Sequence, residues 1–108
     1  MVGDKWCAIT ATSSIIAMKW RPVIIDRLLK GPKRFNVLKQ TMPEISSKVL
    51  VDNLTNLEKE GILKRNVNTL SPISVSYSLT EKGKDLKDVL NAIEKWGMHW
   101  LSEEKMLR

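Results

Sequence analysis

The sequence predicts a mainly α-helical domain with one small β-hairpin, an α+β chain organised as a single domain over residues 1–108. Three observations predict it. Leu50, Leu54 and Leu57 recur at helical spacing and form one narrow apolar stripe. The period then changes to two, with Val75, Tyr77 and Leu79 alternating with Ser74, Ser76 and Ser78. A longer helical stripe follows, through Leu86, Val89, Leu90, Ile93, Trp96, Trp100 and Leu101. A chain of 108 residues is one domain by size. At that length it buries only roughly two-thirds of its unfolded surface, so a partner subunit would add to its core.

Taken in order, residues 6–17 form a first helix, although Thr10, Thr12 and Ile15-Ile16 weaken its propensity. Residues 21–30 form a second. Pro22 falls in its first turn, where a missing N–H does no harm, and Gly31-Pro32 ends it. Residues 35–41 form a short third helix anchored by Phe35 and Leu38. Ser46 is the N-cap of a fourth, with Ile45 stapled back against Leu50, and Gly61 after Glu60 stops it. Ile62 to Val67 reads as a strand, paired through a turn near Thr69–Ile73 with a second strand ending at Leu79. Thr80 then caps a final helix reaching to about Glu104. Short helices, a hairpin and a long helix, in that order, are the elements of a winged helix-turn-helix with an appended helix.

The bulk composition excludes several classes. Hydrophobic residues make up 43% of the chain and charged residues 28%, the balance of an ordinary globular domain. No apolar run approaches the roughly 18–20 residues needed to span a bilayer, so no membrane partner is expected. The first residues lack the basic region, continuous apolar stretch and cleavage site of a signal peptide. Cys7 is the only cysteine, which rules out an intrachain disulfide and leads us to expect a reducing, cytoplasmic setting. With one cysteine and one histidine, His99, no Cys/His metal cluster can form in one chain. No glycine-rich phosphate loop or hydrolase motif is present. Neither an enzyme nor a cofactor is expected.

The net charge is +6, and its location is the informative part. Residues 40–65 carry four basic and four acidic side chains, 66–80 carry none, and 81–108 carry six of each. All of the excess therefore lies between Lys19 and Lys39, as Lys19, Arg21, Arg27, Lys30, Lys33, Arg34 and Lys39 against Asp26. A local excess of this kind attracts a polyanion; it is also what a solvated basic face looks like.

Two short helices joined through Gln40–Ile45 have the length of a helix-turn-helix. In that motif the second helix enters the major groove of double-stranded DNA. Here it would offer Ser46, Ser47, Lys48, Val51, Asp52 and Thr55. Serine and threonine bond several bases, lysine suits guanine or phosphate, and valine meets a thymine methyl. Phosphate contacts would come from Lys19, Arg21, Lys33, Arg34 and Arg65. The hairpin tip has no charge, so the wing would touch DNA through Arg65 or contribute little. The final helix carries more apolar surface than a lone domain covers easily. Leu90, Ile93, Trp96 and Trp100, with Gly97 allowing close approach, would form a homodimer interface; the other reading packs the stripe on the domain's own core. Cys7 is either an inert buried thiol or a sensor activated near a helix N-terminus with Lys5 close by.

With these residues in view, the sequence resembles the HxlR family of winged-helix regulators, relatives of the MarR type. The likeness runs from about Cys7 to Leu101. It takes in Cys7 with Lys19-Trp20, then Leu28-Leu29, Gly31-Pro32-Lys33-Arg34-Phe35-Asn36 and Leu38. It continues through Ile45-Ser46-x-Lys48-Val49-Leu50, Leu54, Leu57-Glu58-x-x-Gly61-Ile62-Leu63 and Arg65. It closes with Pro72, Val75, Tyr77-x-Leu79-Thr80-x-x-Gly83 and Trp96-Gly97. The resemblance implies a homodimer on an operator, with the helix at 46–59 in the major groove and dimerisation through the first and last helices. It also implies a redox or electrophile sensor at Cys7. The chain departs from the pattern in four places. Ala8 stands where a proline usually follows the cysteine, and Ala17-Met18 replaces a Gly-Gly-like pair. Ile73-Ser74 replaces a wing segment that usually carries a base, and Asn53 stands where the reading helix usually has an arginine. The near-neutral wing and helix leave a second reading, a winged helix used as a protein-interaction module.

Overall fold

A computed structural model describes residues 5–70 and 72–101. The elements run α1 (Lys5–Ile16), α2 (Arg21–Leu29), β1 (Lys33–Arg34), α3 (Phe35–Gln40), α4 (Ser47–Lys59), β2 (Leu63–Asn68), β3 (Ser74–Leu79), α5 (Glu81–Lys84) and α6 (Lys87–Trp100). This is the mainly helical, α+β winged-helix architecture expected from the sequence. No described helix is long and apolar enough to cross a membrane.

The core lies between the helices and one face of the sheet. Ile24, Ile25 and Leu28 of α2 meet Leu38 of α3 and Leu50, Leu54 and Leu57 of α4. Ile62, Leu63, Tyr77 and Leu79 close it from the sheet side, and Leu90 from α6. The turn between α3 and α4 contributes as well, because Met42 and Ile45 are fully covered. Backbone bonds fix that turn, Met42 N–H to the Lys39 carbonyl at 3.0 Å and Ile45 N–H to the Met42 carbonyl at 3.2 Å. The angle between α3 and α4 is thus set by buried side chains of the turn, not by the helices alone.

The sheet has three antiparallel strands in the order β1-β3-β2. The hairpin has the expected pairing, with Leu63 opposite Leu79 and Asn68 opposite Ser74. The third strand, β1, was not expected. Lys33 and Arg34 pair with Tyr77 and Ser76 immediately after the Gly31-Pro32 break. Two charged residues carry no alternation of polarity, so their strand character comes from the free edge of β3 beside them.

The continuous final helix expected from Thr80 is corrected to two helices. Thr80 does cap, its Oγ1 accepting from Gly83 N–H at 3.2 Å, but α5 lasts four residues. Leu86 N–H then bonds the Gly83 carbonyl at 3.1 Å, an i to i−3 closure that ends the turn, and α6 restarts at Lys87. Gly83 explains why α5 sits where it does. A Cβ at this position would stand 2.1 Å from the Ile62 carbonyl oxygen, so the segment lies directly on the link from α4 to β2. The expected end near Glu104 lies outside the described residues.

Leu90 is also corrected. It is only 8% exposed and packs in the protomer's own core, so most of its side chain is already covered. Val89 of the stripe is half-buried, but its later members are bare: Ile93 is 49%, Trp96 61% and Trp100 67% exposed, and Met98 beside them is exposed as well. Ile9 of α1 is exposed too.

Candidate nucleic-acid interface

The site starts from α4. Its N-terminal amides are free of intrahelical partners, as in any helix. Ser46 Oγ takes one of them, accepting from Val49 N–H at 3.1 Å. The helix is then divided lengthwise. Leu50, Asn53, Leu54 and Leu57 are buried, whereas Ser47, Lys48, Val51, Asp52 and Thr55 are exposed. Ser46 is exposed beside them, and its hydroxyl keeps a proton to donate. All six groove residues expected from the sequence therefore share the outer side and N-terminal end of one helix. Lys48 Nζ lies 3.1 Å from Asp52 Oδ2, one turn on. An exposed pair of this kind is worth only about 0.3–0.5 kcal/mol, so either partner can exchange it for an incoming ligand.

Asn53 does not belong to that face. It is buried, and its Nδ2 donates to the Val49 carbonyl at 2.8 Å. Asn53 therefore belongs to the inner flank of α4.

The basic residues separate into two groups. Arg21, expected on phosphate, is corrected: it is 6% exposed, and its Nη1 lies 2.7 Å from Glu60 Oε2 and donates to the Ile15 carbonyl at 3.1 Å. Arg27 lies against Asp26 at 3.1 Å. Lys19, Lys30, Lys33, Arg34 and Lys39 have no ion pair among the described residues, and Lys19 Nζ sits 5.0 Å above the Trp20 ring. The cationic strip is thus five residues, not seven.

Lys33 and Arg34 point to opposite faces of β1, because side chains alternate along a strand. Lys33 and Arg65 are both in register with Tyr77, so the three form a row on the core side of the sheet. Two strand spacings put the backbone positions of the two cations about 10 Å apart. Arg34 is in register with Ser76, on the outer face with Ser74, Ser78, Lys64, Asn66 and Asn68. Asn66 Nδ2 donates to Ser78 Oγ at 3.1 Å, so this face is a hydrogen-bonding surface without acids. Arg34 also lines a cleft of about 360 Å³ between the start of α3 and the wing, with Val37, Pro72 and Ile73. At the tip of the wing Leu70 and Ile73 are 75% and 74% exposed.

Cys7 lies on α1, half-buried. The Lys5 side chain invoked beside it lies outside the described residues. Among the described residues no group of three or more His, Cys, Asp and Glu side chains could hold a metal ion.

Three helices whose last two are joined by a buried turn, followed by a hairpin on a three-stranded sheet, define a winged helix-turn-helix. The chain belongs to the HxlR-like helix-turn-helix family, whose model matches residues 15–105, and it is a transcriptional regulator of that family. The HTH-type transcriptional regulator YvaP of Bacillus subtilis (strain 168) is 39% identical over 87 residues, 81% of each chain. YodB of the same organism is 36% identical over 96 residues, 88% of this chain and 86% of its own. The structure of reduced YodB matches with a TM-score of 0.80 at 33% identity, over 94% of this chain and 97% of that one. The redox regulator HypR in its reduced form gives 0.81 at 33% identity, over 85% and 91%. HypR has also been solved oxidised, and YodB with quinone bound.

Proposed function

We propose that the chain works as a homodimer that binds double-stranded DNA in a sequence-specific manner, with α4 in the major groove. The observation that carries this reading is the lengthwise division of α4. Its inner side is the core of the domain, and its outer side presents Ser46, Ser47, Lys48, Val51, Asp52 and Thr55 together. That set can donate, accept and meet a methyl group, which is what base edges in the major groove require. Lys19, Arg34 and Arg65 serve as the phosphate contacts, with Lys33, half-buried in register with Tyr77, left out of that set. They fix register and orientation, and α4 reads sequence. The bare Ile93, Trp96 and Trp100, with Gly97 between the indoles, serve as the dimer contact together with α1. Two copies related by a two-fold axis would set two reading helices on one face of a duplex.

Selection of bound duplexes from a random pool tests the reading. The expected product is a palindrome whose half-sites lie about one helical turn apart. Enrichment of single, unpaired half-sites would remove the dimer; no binding to any duplex at low salt would favour the protein-interaction module.

A second reading concerns control. The oxidised HypR and quinone-bound YodB structures favour a thiol switch, and Cys7 is the one thiol that could serve. Mild oxidant or a quinone should then add mass at Cys7 and change DNA affinity, and Cys7→Ser should abolish both effects.

A further inference from the structure

Arg21 and Glu60 are both misplaced by the rule of the helix dipole. A cation at the first residue of α2 faces the positive end of that helix, and a carboxylate at the C-cap of α4 faces the negative end. The fold brings the two together, Nη1 to Oε2 at 2.7 Å. The same Nη1 donates to the carbonyl of Ile15, in the last turn of α1, at 3.1 Å. Carbonyls there have no intrahelical partner, so this is a C-terminal cap supplied from another helix. One nitrogen atom thus joins the end of α1, the start of α2 and the end of α4.

The arrangement is a poor way to gain stability. Arg21 Nε and Glu60 Oε2 are both buried without a hydrogen-bonding partner, so the 2.7 Å approach is an ion contact and not a two-bond fork. The Glu60 side chain is 36% exposed, so solvent screens the pair, and an apolar pair of similar volume would hold the helices as well. What an apolar pair would not supply is direction. The end of α4 is already held from the α5 side, where Lys82 Nζ donates to the Glu60 carbonyl at 2.8 Å and Thr80 Oγ1 to the carbonyls of Gly61 and Ile62. Arg21 is the tie from the α1 side.

We propose that Arg21 is a positioning residue for DNA recognition: through Nη1 it transmits the placement of α1 to the C-terminal end of the reading helix, without touching DNA. This rests on the reading of α4 and α1 given above.

The test uses the full chain, the duplex that the unaltered protein enriches from a random pool, and a random duplex of the same length. Arg21→Ala and Glu60→Gln should each lower affinity for the enriched duplex about tenfold. Affinity for the random duplex and the salt dependence should stay at their unaltered values, and the double variant should be no worse than either single. If Arg21→Ala instead lowers the salt slope by about one while Glu60→Gln is silent, Arg21 sits on a phosphate and the proposal is overturned. Lower melting temperatures with unchanged affinity below melting would overturn it too, leaving Arg21 a scaffold residue only. Should Arg21→Ala not fold, Glu60→Gln, which keeps shape and removes charge, decides alone. If the unaltered protein enriches no duplex, the functional reading fails separately, and amide exchange decides the tie. Glu60→Gln should then speed exchange in the last turns of α1 and α4 together; a change in only one of them would overturn the proposal.

Discussion

Lys33 and Arg34 are adjacent in the chain but serve opposite faces of β1. Read as a sequence, the pair looks like a double phosphate clamp worth up to about two units of salt slope. The strand geometry halves that. Arg34 is exposed on the outer face, whereas Lys33 is half-buried beside Tyr77. Replacing both by alanine should lower the slope of log affinity against log salt by about one, and Arg34→Ala alone should account for it. A fall of two, measured by titration of a duplex across salt concentrations, would place both on phosphate. The same lesson applies to Arg21, which the basic excess swept into the phosphate set and the fold withdrew. Charge is legible in a sequence; which side of a strand or helix it leaves from depends on pairing partners far along the chain. The five exposed residues of α4 and its N-cap Ser46 were legible because their apolar neighbours already define the helix's inner side.

At the scale of elements, the helices and the hairpin follow from local signals. Ser46 caps, Leu50, Leu54 and Leu57 mark one face, and Val75, Tyr77 and Leu79 mark another at half the period. The misses share a cause. β1 exists because β3 offers it an edge, and α5 is docked with Gly83 against the Ile62 carbonyl before the chain restarts as α6. Gly83→Ala should therefore act far beyond its helix propensity, which would favour alanine by about 1 kcal/mol. A new Cβ 2.1 Å from backbone oxygen forces α5 off the α4–β2 link. Overpacking of this kind costs about 1–3 kcal/mol. Urea unfolding should show a loss of that size, and a neutral or stabilised variant would mean that α5 docks more loosely.

At the scale of the whole molecule, the two ends of the α6 stripe do different work. Leu90 belongs to the protomer core, so Leu90→Ala should cost about 2–5 kcal/mol of stability, as buried leucines do. Trp96 and Trp100 are mostly bare, so Trp100→Ala should leave the folded protomer intact and shift the assembly toward monomers. Sedimentation and thermal melting of the two variants would separate the roles. A Trp100→Ala protein that still sediments entirely as a dimer would remove α6 as the main contact.

The sequence by itself determined the fold class, the order of the main helices and the hairpin, the outer face of α4 and the confinement of the net positive excess to Lys19–Lys39. These are local quantities: periodicity, capping and a running sum of charge need only neighbours in the chain. The tertiary structure alone decided that Arg21 faces Glu60 instead of solvent, that Leu90 is core while Trp100 is surface, and that Lys33 and Arg34 part company. Each of those depends on residues 40 or so positions away or on a strand brought alongside, and burial is a property of what else has arrived at the same place.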